Sequence, residues 1–157
     1  MELTLNQIVL NLKEIADKHQ QIHGFKFGVT QEDFATSGVS HPCEMWVTIQ
    51  PSPIGVSTSE FVCSMCLCDS VIRGKENQTE VISDCWQIAK DVISQLRHPD
   101  YSWDFNRGQK PIINPFKEKS TYNFAGVWFD FTLISPDPID SCRVPFSSAP
   151  TIYPTLS

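Results

Sequence analysis

Apolar residues recur at helical spacing in two stretches of the chain and alternate with polar ones between and after them. Leu5, Ile8, Val9, Leu12, Ile15, Ala16 and Ile22 follow the three-to-four-residue period of an amphipathic helix. Thr4 precedes the run with Gln7 three positions on, the spacing of a capping box, and Gly24 is placed to end it in a left-handed cap. These signals predict a helix over 4–22. A second face, built from Ile82, Cys85, Trp86, Ala89, Val92, Ile93 and Leu96, predicts a helix over 79–97. Asn77 or Thr79 can cap its start, and His98-Pro99 stops it.

Four runs carry the two-residue period of strands. EMWVTIQ (44–50) sets Met45, Val47 and Ile49 against Glu44, Trp46, Thr48 and Gln50. PSPIGVSTSE then turns the chain toward FVCSMCLCDSVI (61–72), so the two runs read as a hairpin. PIINPFKE (111–118) is a short strand, and FAGVWFDFTLI (124–134) fills one face with Ala125, Val127, Phe129, Phe131 and Leu133. Phe124, Trp128 and Ile134 make its other face partly apolar, so both sides of that strand call for cover. FKFGV (25–29) is a brief alternating run, and DYSWDFNRGQ reads as a polar connection. The predicted fold is α+β: two helices packed on one face of a mostly antiparallel sheet. One domain spans 1–134, followed by an extended proline-rich arm over 135–157, whose prolines exclude helix and central strand.

Composition narrows the function classes. The chain of 157 residues carries 12 Lys and Arg against 18 Asp and Glu, a net charge of −6, with no basic stripe to follow a phosphate backbone. Sequence-specific nucleic-acid binding is not expected. The N-terminal run lacks a basic region and cleavage site, and polar residues interrupt every apolar stretch before it reaches membrane-spanning length. The expectation is a protein made in the cytoplasm, with its six cysteines reduced and the sequon Asn77-Gln78-Thr79 unmodified.

Three of those cysteines fall within FVCSMCLCDSV (61–71). Strand alternation points Cys63 with Phe61, Met65 and Leu67 to one face, and Cys66 and Cys68 to the other, so the thiols do not converge on a metal. Buried cysteine behaves as a small hydrophobe, and that is the reading here. His19 and His23 stand four apart as in zinc-protease helices, but the intervening glutamate is replaced by Gln20, which cannot act as a base. His41-Pro42-Cys43 and Ser83-Asp84-Cys85 place potential partners near each other in sequence only. Phosphate loops and a nucleophile elbow are missing from the sequence. No catalytic residue, cofactor or metal is expected.

The order helix, strands, helix, strands and arm, and in particular ENQTEVISDCWQIAKDVISQL followed by AGVWFDFTLISPDPIDSCRVP, resembles small neck and tail-completion (tail terminator-like) proteins of tailed bacteriophages, including phages of gut Bacteroidetes. The resemblance covers roughly residues 76–145. It implies a non-enzymatic virion protein whose copies form a ring between portal and tail or at the end of the tail tube. Its implied partners are copies of itself and neighbouring portal, neck or tail-tube proteins, with no membrane. Two features of the residues agree. The two-sided strand leaves Trp128 available to a second subunit, and the arm carries Ile139, Val144, Phe146, Ile152, Tyr153 and Leu156 as spaced apolar anchors suited to docking along a neighbour. The competing reading is a small cytoplasmic ligand-binding or enzymatic α+β domain using Cys66 and Cys68.

Overall fold

The computed structural model describes residues 3–28, 43–71, 77–117, 124–136, 144–148 and 150–154. Its elements are α1 (Leu5–Lys18), β1 (Gly24–Gly28), β2 (Glu44–Ile49), β3 (Ser59–Ser70), α2 (Gln78–Leu96), β4 (Asp104–Phe105), β5 (Asn114–Lys117) and β6 (Phe124–Ser135). The strands form one sheet in the order β1-β2-β3-β6-β4, with β5 also paired to β6. Every pairing is antiparallel except β1 with β2. The fold is α+β, as the sequence pattern predicts.

Alternation decides what each face of the sheet buries. Met45 and Val47 of β2, Cys63, Met65 and Leu67 of β3, and Val127, Phe129, Phe131 and Leu133 of β6 point to one face. There they meet Ile8, Leu12, Ile15 and Ala16 of α1 and Val81, Cys85, Ile88, Ala89, Val92, Ile93 and Leu96 of α2. Both helices therefore cover the same face. Trp46, Cys66, Cys68 and Phe124 form a smaller buried cluster on the opposite face, with Phe116 and Trp128 packed against it. The cysteines divide as strand geometry requires, with Cys63 on the helix side and Cys66 and Cys68 on the other.

The first capping box is present. The Thr4 hydroxyl accepts from the Gln7 N–H at 3.2 Å, and the Gln7 amide oxygen accepts from the Thr4 N–H at 2.9 Å. The helix ends earlier than its apolar spacing suggests. His19 leaves the helical region at φ −77°, ψ 126°, and its Nδ1 accepts from the Gln21 N–H at 3.1 Å. The run His19-Gln20-Gln21 is polar and adds no buried apolar side chain, so Ile22 reaches the core from outside the helix and Gly24 opens β1 instead of capping α1. On α2, Val81 and Ile88 belong to the buried stripe, whereas Trp86 lies off it and is 36% exposed.

Two strands escape the sequence pattern. β1 joins the edge of the sheet parallel to β2, with Phe25 and Phe27 beside Met45 and Val47. β4 is a two-residue strand inside the polar stretch, pairing Asp104 with Ile134 and Phe105 with Leu133. Just beyond it Asn106, Arg107 and Gly108 take left-handed φ values of 56°, 51° and 74°. Left-handed backbone is tolerated best by Gly and Asn. The Asn106 side chain compensates by accepting from the Thr132 N–H at 3.2 Å, so it continues the hydrogen bonding that the departing backbone gives up. Arg107 is held by an ion pair with Glu60.

Gly126 lies between Cys68 of β3 and Phe116 of β5. A Cβ there would lie 2.8 Å from the Cys68 Cα and closer still to the Leu67 carbonyl oxygen. These are backbone atoms in the middle of the sheet and cannot swing aside. Gly126→Ala should therefore destabilise the fold by about 3 kcal/mol, the upper part of the overpacking range. Urea unfolding followed by circular dichroism measures it. Thr4→Ala, which removes one cap hydroxyl, should cost about 1 kcal/mol in the same assay.

Candidate functional site

The sites weighed from sequence separate cleanly in space. His19 projects from the end of α1 to α2, where its Nε2 lies 2.9 Å from Asp91 Oδ2. His23 lies beyond the helix, its Nε2 3.2 Å from the Gln20 carbonyl oxygen. The two imidazoles thus serve different partners. Among the described residues no cluster of three or more His, Cys, Asp or Glu side chains could hold a metal ion. His41 and Cys142 lie outside the described residues.

Five thiols are free and buried: Cys43, Cys63, Cys66, Cys68 and Cys85. Hydrogen bonding to Cys85, followed by burial, pushes the Cys43 thiol far above its ordinary value of 9.0. Burial alone pushes Cys63 from 9.0 to about 12. Cys68 is raised well above its ordinary value by burial first and its hydrogen bond to Cys66 second. Thiols held protonated in this way are poor nucleophiles and poor metal ligands. Across the ladder Cys66 stands between Trp46 and Trp128, where a small side chain fits between two large ones.

Beside this cluster lies a buried carboxylate. Glu44 is 2% exposed, and its Oε1 accepts from Trp46 Nε1 at 2.8 Å and from Lys26 Nζ at 2.8 Å. Lys26 also sits 5.5 Å from the centroid of the Trp46 ring, so its charge is shared between carboxylate and indole. Gly24 lets the Glu44 side chain lie flat across β1, since a Cβ there would be 2.8 Å from Glu44 Cγ. The arrangement buries the β1–β2 end of this face of the sheet within one chain. Trp46, Cys68, Phe124 and Ile134 are all at most 7% exposed, whereas Asp130 on the same face of β6 is exposed and Thr132 half-buried. Trp128 remains only half-buried.

The unburied apolar residues are elsewhere. Val144, Phe146, Ile152 and Tyr153 are 42%, 62%, 90% and 82% exposed, and residues 144–148 and 150–154 form neither helix nor strand. Ile139 and Leu156 lie outside the described residues. The β2–β3 turn adds Ile54 and Val56, which the sequence reading passed over as loop. That turn is well fastened. Ser52 Oγ donates to the Gln50 carbonyl at 2.8 Å and accepts from the Val62 N–H at 3.0 Å, while Gly55 N–H donates to the Thr58 carbonyl at 2.8 Å. Its apolar tip is therefore held outward by the turn's own hydrogen bonds.

A groove of about 1090 Å³ runs between α1 and α2 and along the segment after α2. Ile15 and Val92 lie at its base, with Asn11, Gln95, Tyr101 and Ser102 along its walls. Tyr101 stacks on the buried Trp103, ring centroids 4.3 Å apart and planes within 10°, and Trp103 Nε1 donates to the Leu96 carbonyl at 3.0 Å. The aromatic wall is thereby fixed. No protein-family model matches this chain, and no curated protein is significantly similar to it. Among the described residues no helix is long and apolar enough to cross a membrane.

The raised thiols give a measurable signature. Between pH 9 and 12 the unfolded chain releases thiol protons that the folded chain retains, so stability is full below pH 9 and falls as pH rises toward 12. Each such thiol contributes a loss of about 1.4 kcal/mol per pH unit. Urea unfolding from pH 8 to 11 should show this decline, and Cys63→Val should make it shallower by one thiol's share. Superimposable profiles would mean that Cys63 ionises freely in the folded protein.

Proposed function

We propose that the chain is a virion structural subunit whose copies join into a ring in the neck or tail of a tailed phage. One observation carries the assembly part of this reading: among the exposed large apolar side chains, Ile54 and Val56 gather at the hairpin tip and Phe146, Ile152 and Tyr153 in the arm, while Leu10 on α1 and Ile112 before β5 are exposed apart from them. Side chains in the sheet and helices are buried down to 0%, so these residues are not the leftovers of a loosely packed fold. Apolar groups gathered at protrusions are the usual material of contacts between subunits. The phage assignment rests on the likeness of the α2 and β6 segments to tail-completion proteins. A net charge of −6 is compatible with a conduit for DNA, because an acidic lumen does not hold a polyanion.

The competing ligand-binding or enzymatic reading leaned on Cys66 and Cys68. Cys68 is fully buried and held protonated, and Cys66 lies between two tryptophans, so neither thiol is presented to a substrate. Localisation to the virion and contacts with portal or tube proteins follow from the ring reading and stand or fall with it.

Light scattering on the purified full chain, with negative-stain imaging, tests the assembly step. The expected result is a closed multimer with a central opening. Deleting 144–157 should leave a soluble monomer with the circular dichroism and melting cooperativity of the full chain. A full chain that stays monomeric across the concentration range, with a truncated chain that unfolds, would show that the arm packs on its own domain and that the ring reading is wrong.

A further inference from the structure

We propose that the segment Pro150–Pro154 of one copy docks in the groove between α1 and α2 of a neighbouring copy. This inference rests on the ring reading and names the contact that joins one subunit to the next. Ile152 and Tyr153, the two anchors of the segment PTIYP, are 90% and 82% exposed on their own subunit, so they have not found a seat there.

The arm brings no charged side chain to the groove: residues 144–157 read VPFSSAPTIYPTLS. Each carboxylate that lines the groove faces a basic side chain lining the same groove. Glu14 lies 2.6 Å from Lys18, Asp91 2.9 Å from His19, and Asp100 3.6 Å from His98. With Glu14 paired to Lys18 and Asp91 bonded to His19, an uncharged guest can lie over the apolar base without displacing either contact.

Backbone chemistry matches as well. Prolines at 150 and 154 favour the polyproline conformation, which leaves backbone carbonyls without internal partners. Segments of this kind are recognised by grooves that combine flat aromatic walls with hydrogen-bond donors. Tyr101, fixed by its stack on Trp103, supplies the wall, and Asn11, Gln95 and Ser102 supply donors over the apolar base of Ile15 and Val92. Length agrees too. The α1 wall from Asn11 to His19 rises about 12 Å at 1.5 Å per residue. Pro150 to Pro154 spans about 12 Å at the polyproline rise of 3.1 Å.

The test uses the full chain and a fluorescein-labelled peptide of residues 144–157. Anisotropy titration should show saturable binding, and Tyr153→Asp in the peptide should weaken it by about thirtyfold or more, as expected for an aromatic hot spot. Gln95→Arg or Ser102→Arg, both at exposed groove positions, should abolish peptide binding and multimer formation with an unchanged melting curve. An Ile152→Asp/Tyr153→Asp chain mixed with a Gln95→Arg chain should give one-to-one pairs and nothing larger in sedimentation velocity, because one intact arm meets one intact groove. A multimer and peptide binding that both survive Gln95→Arg and Ser102→Arg would overturn the docking site while leaving the ring reading in place. A monomeric full chain that ignores the peptide would remove both. A monomeric chain whose peptide binding is lost on Gln95→Arg would place the arm in its own groove and overturn the exchange between copies.

Discussion

The ladder between β3 and β6 is the constraint on which the rest of the molecule depends. Each residue from Ser59 to Ser70 pairs with a residue of β6 between Phe124 and Ser135, so two full-length strands are locked in one register. Because side chains alternate with a period of two, that register places Met65 and Leu67 beside Phe129 and Val127 under the helices, and Cys66 and Cys68 beside Trp128 and Gly126 on the far side. A slip of one residue would carry Phe129 and Phe131, two of the largest fully buried side chains, to the wrong face. β2 builds on one edge of the ladder and β4 and β5 on the other. The sheet is thus organised outward from its centre.

That centre also explains why cysteines concentrate there. The far face has to fit two indoles, Trp46 and Trp128, on the two strands that flank β3, and a third large residue between them on β3 would not pack. A thiol is small, tolerates burial and needs only weak hydrogen bonding, such as the contact from Cys68 Sγ to the Glu44 carbonyl at 3.8 Å. Gly126 answers the same demand at its limit, where even one methyl group would meet backbone. The run that looks chemical in one dimension is a packing solution in three.

Much of this was readable from the chain because it is local. The Thr4–Gln7 box, the α2 stripe around Cys85, Ala89 and Val92, the hairpin of β2 and β3, and the facing of Cys63, Cys66 and Cys68 follow from spacing alone. What escaped depends on partners distant in sequence. β1 is a strand because β2 is beside it, and a parallel pairing leaves no mark in a five-residue run. β4 lasts two residues and is held by β6 and the Asn106 side chain. The groove could not be found from spacing either. His19 reads as half of an abortive metal pair until α2 brings Asp91, 72 positions away, against it. Tyr101 and Ser102 belong to a stretch read as a polar connection. The one visible signal was the conjunction of aromatic and donor residues just after the His98-Pro99 stop.

If copies assemble as proposed, folding and assembly are separable in this architecture. The residues that hold the domain together are buried within one chain, in the core under the helices and in the smaller far-side cluster beside the Glu44–Lys26 pair. The exposed apolar residues of the hairpin tip and the arm, like Leu10 on α1 and Ile112 before β5, contribute little to the core. A subunit built this way folds first, and its association then depends on concentration and on the fit of a few anchors rather than on completing an unfinished core. Burying an isoleucine and a tyrosine stabilises a contact by about 1.5 to 3 kcal/mol each before the arm's ordering entropy is subtracted, so a single arm joint is weak. The proposed ring would remove that weakness by closure. Each subunit then holds two neighbours, and losing one joint does not release it. On this reading the arm's prolines matter because they limit the entropy lost on docking, leaving more of a small contact available for assembly.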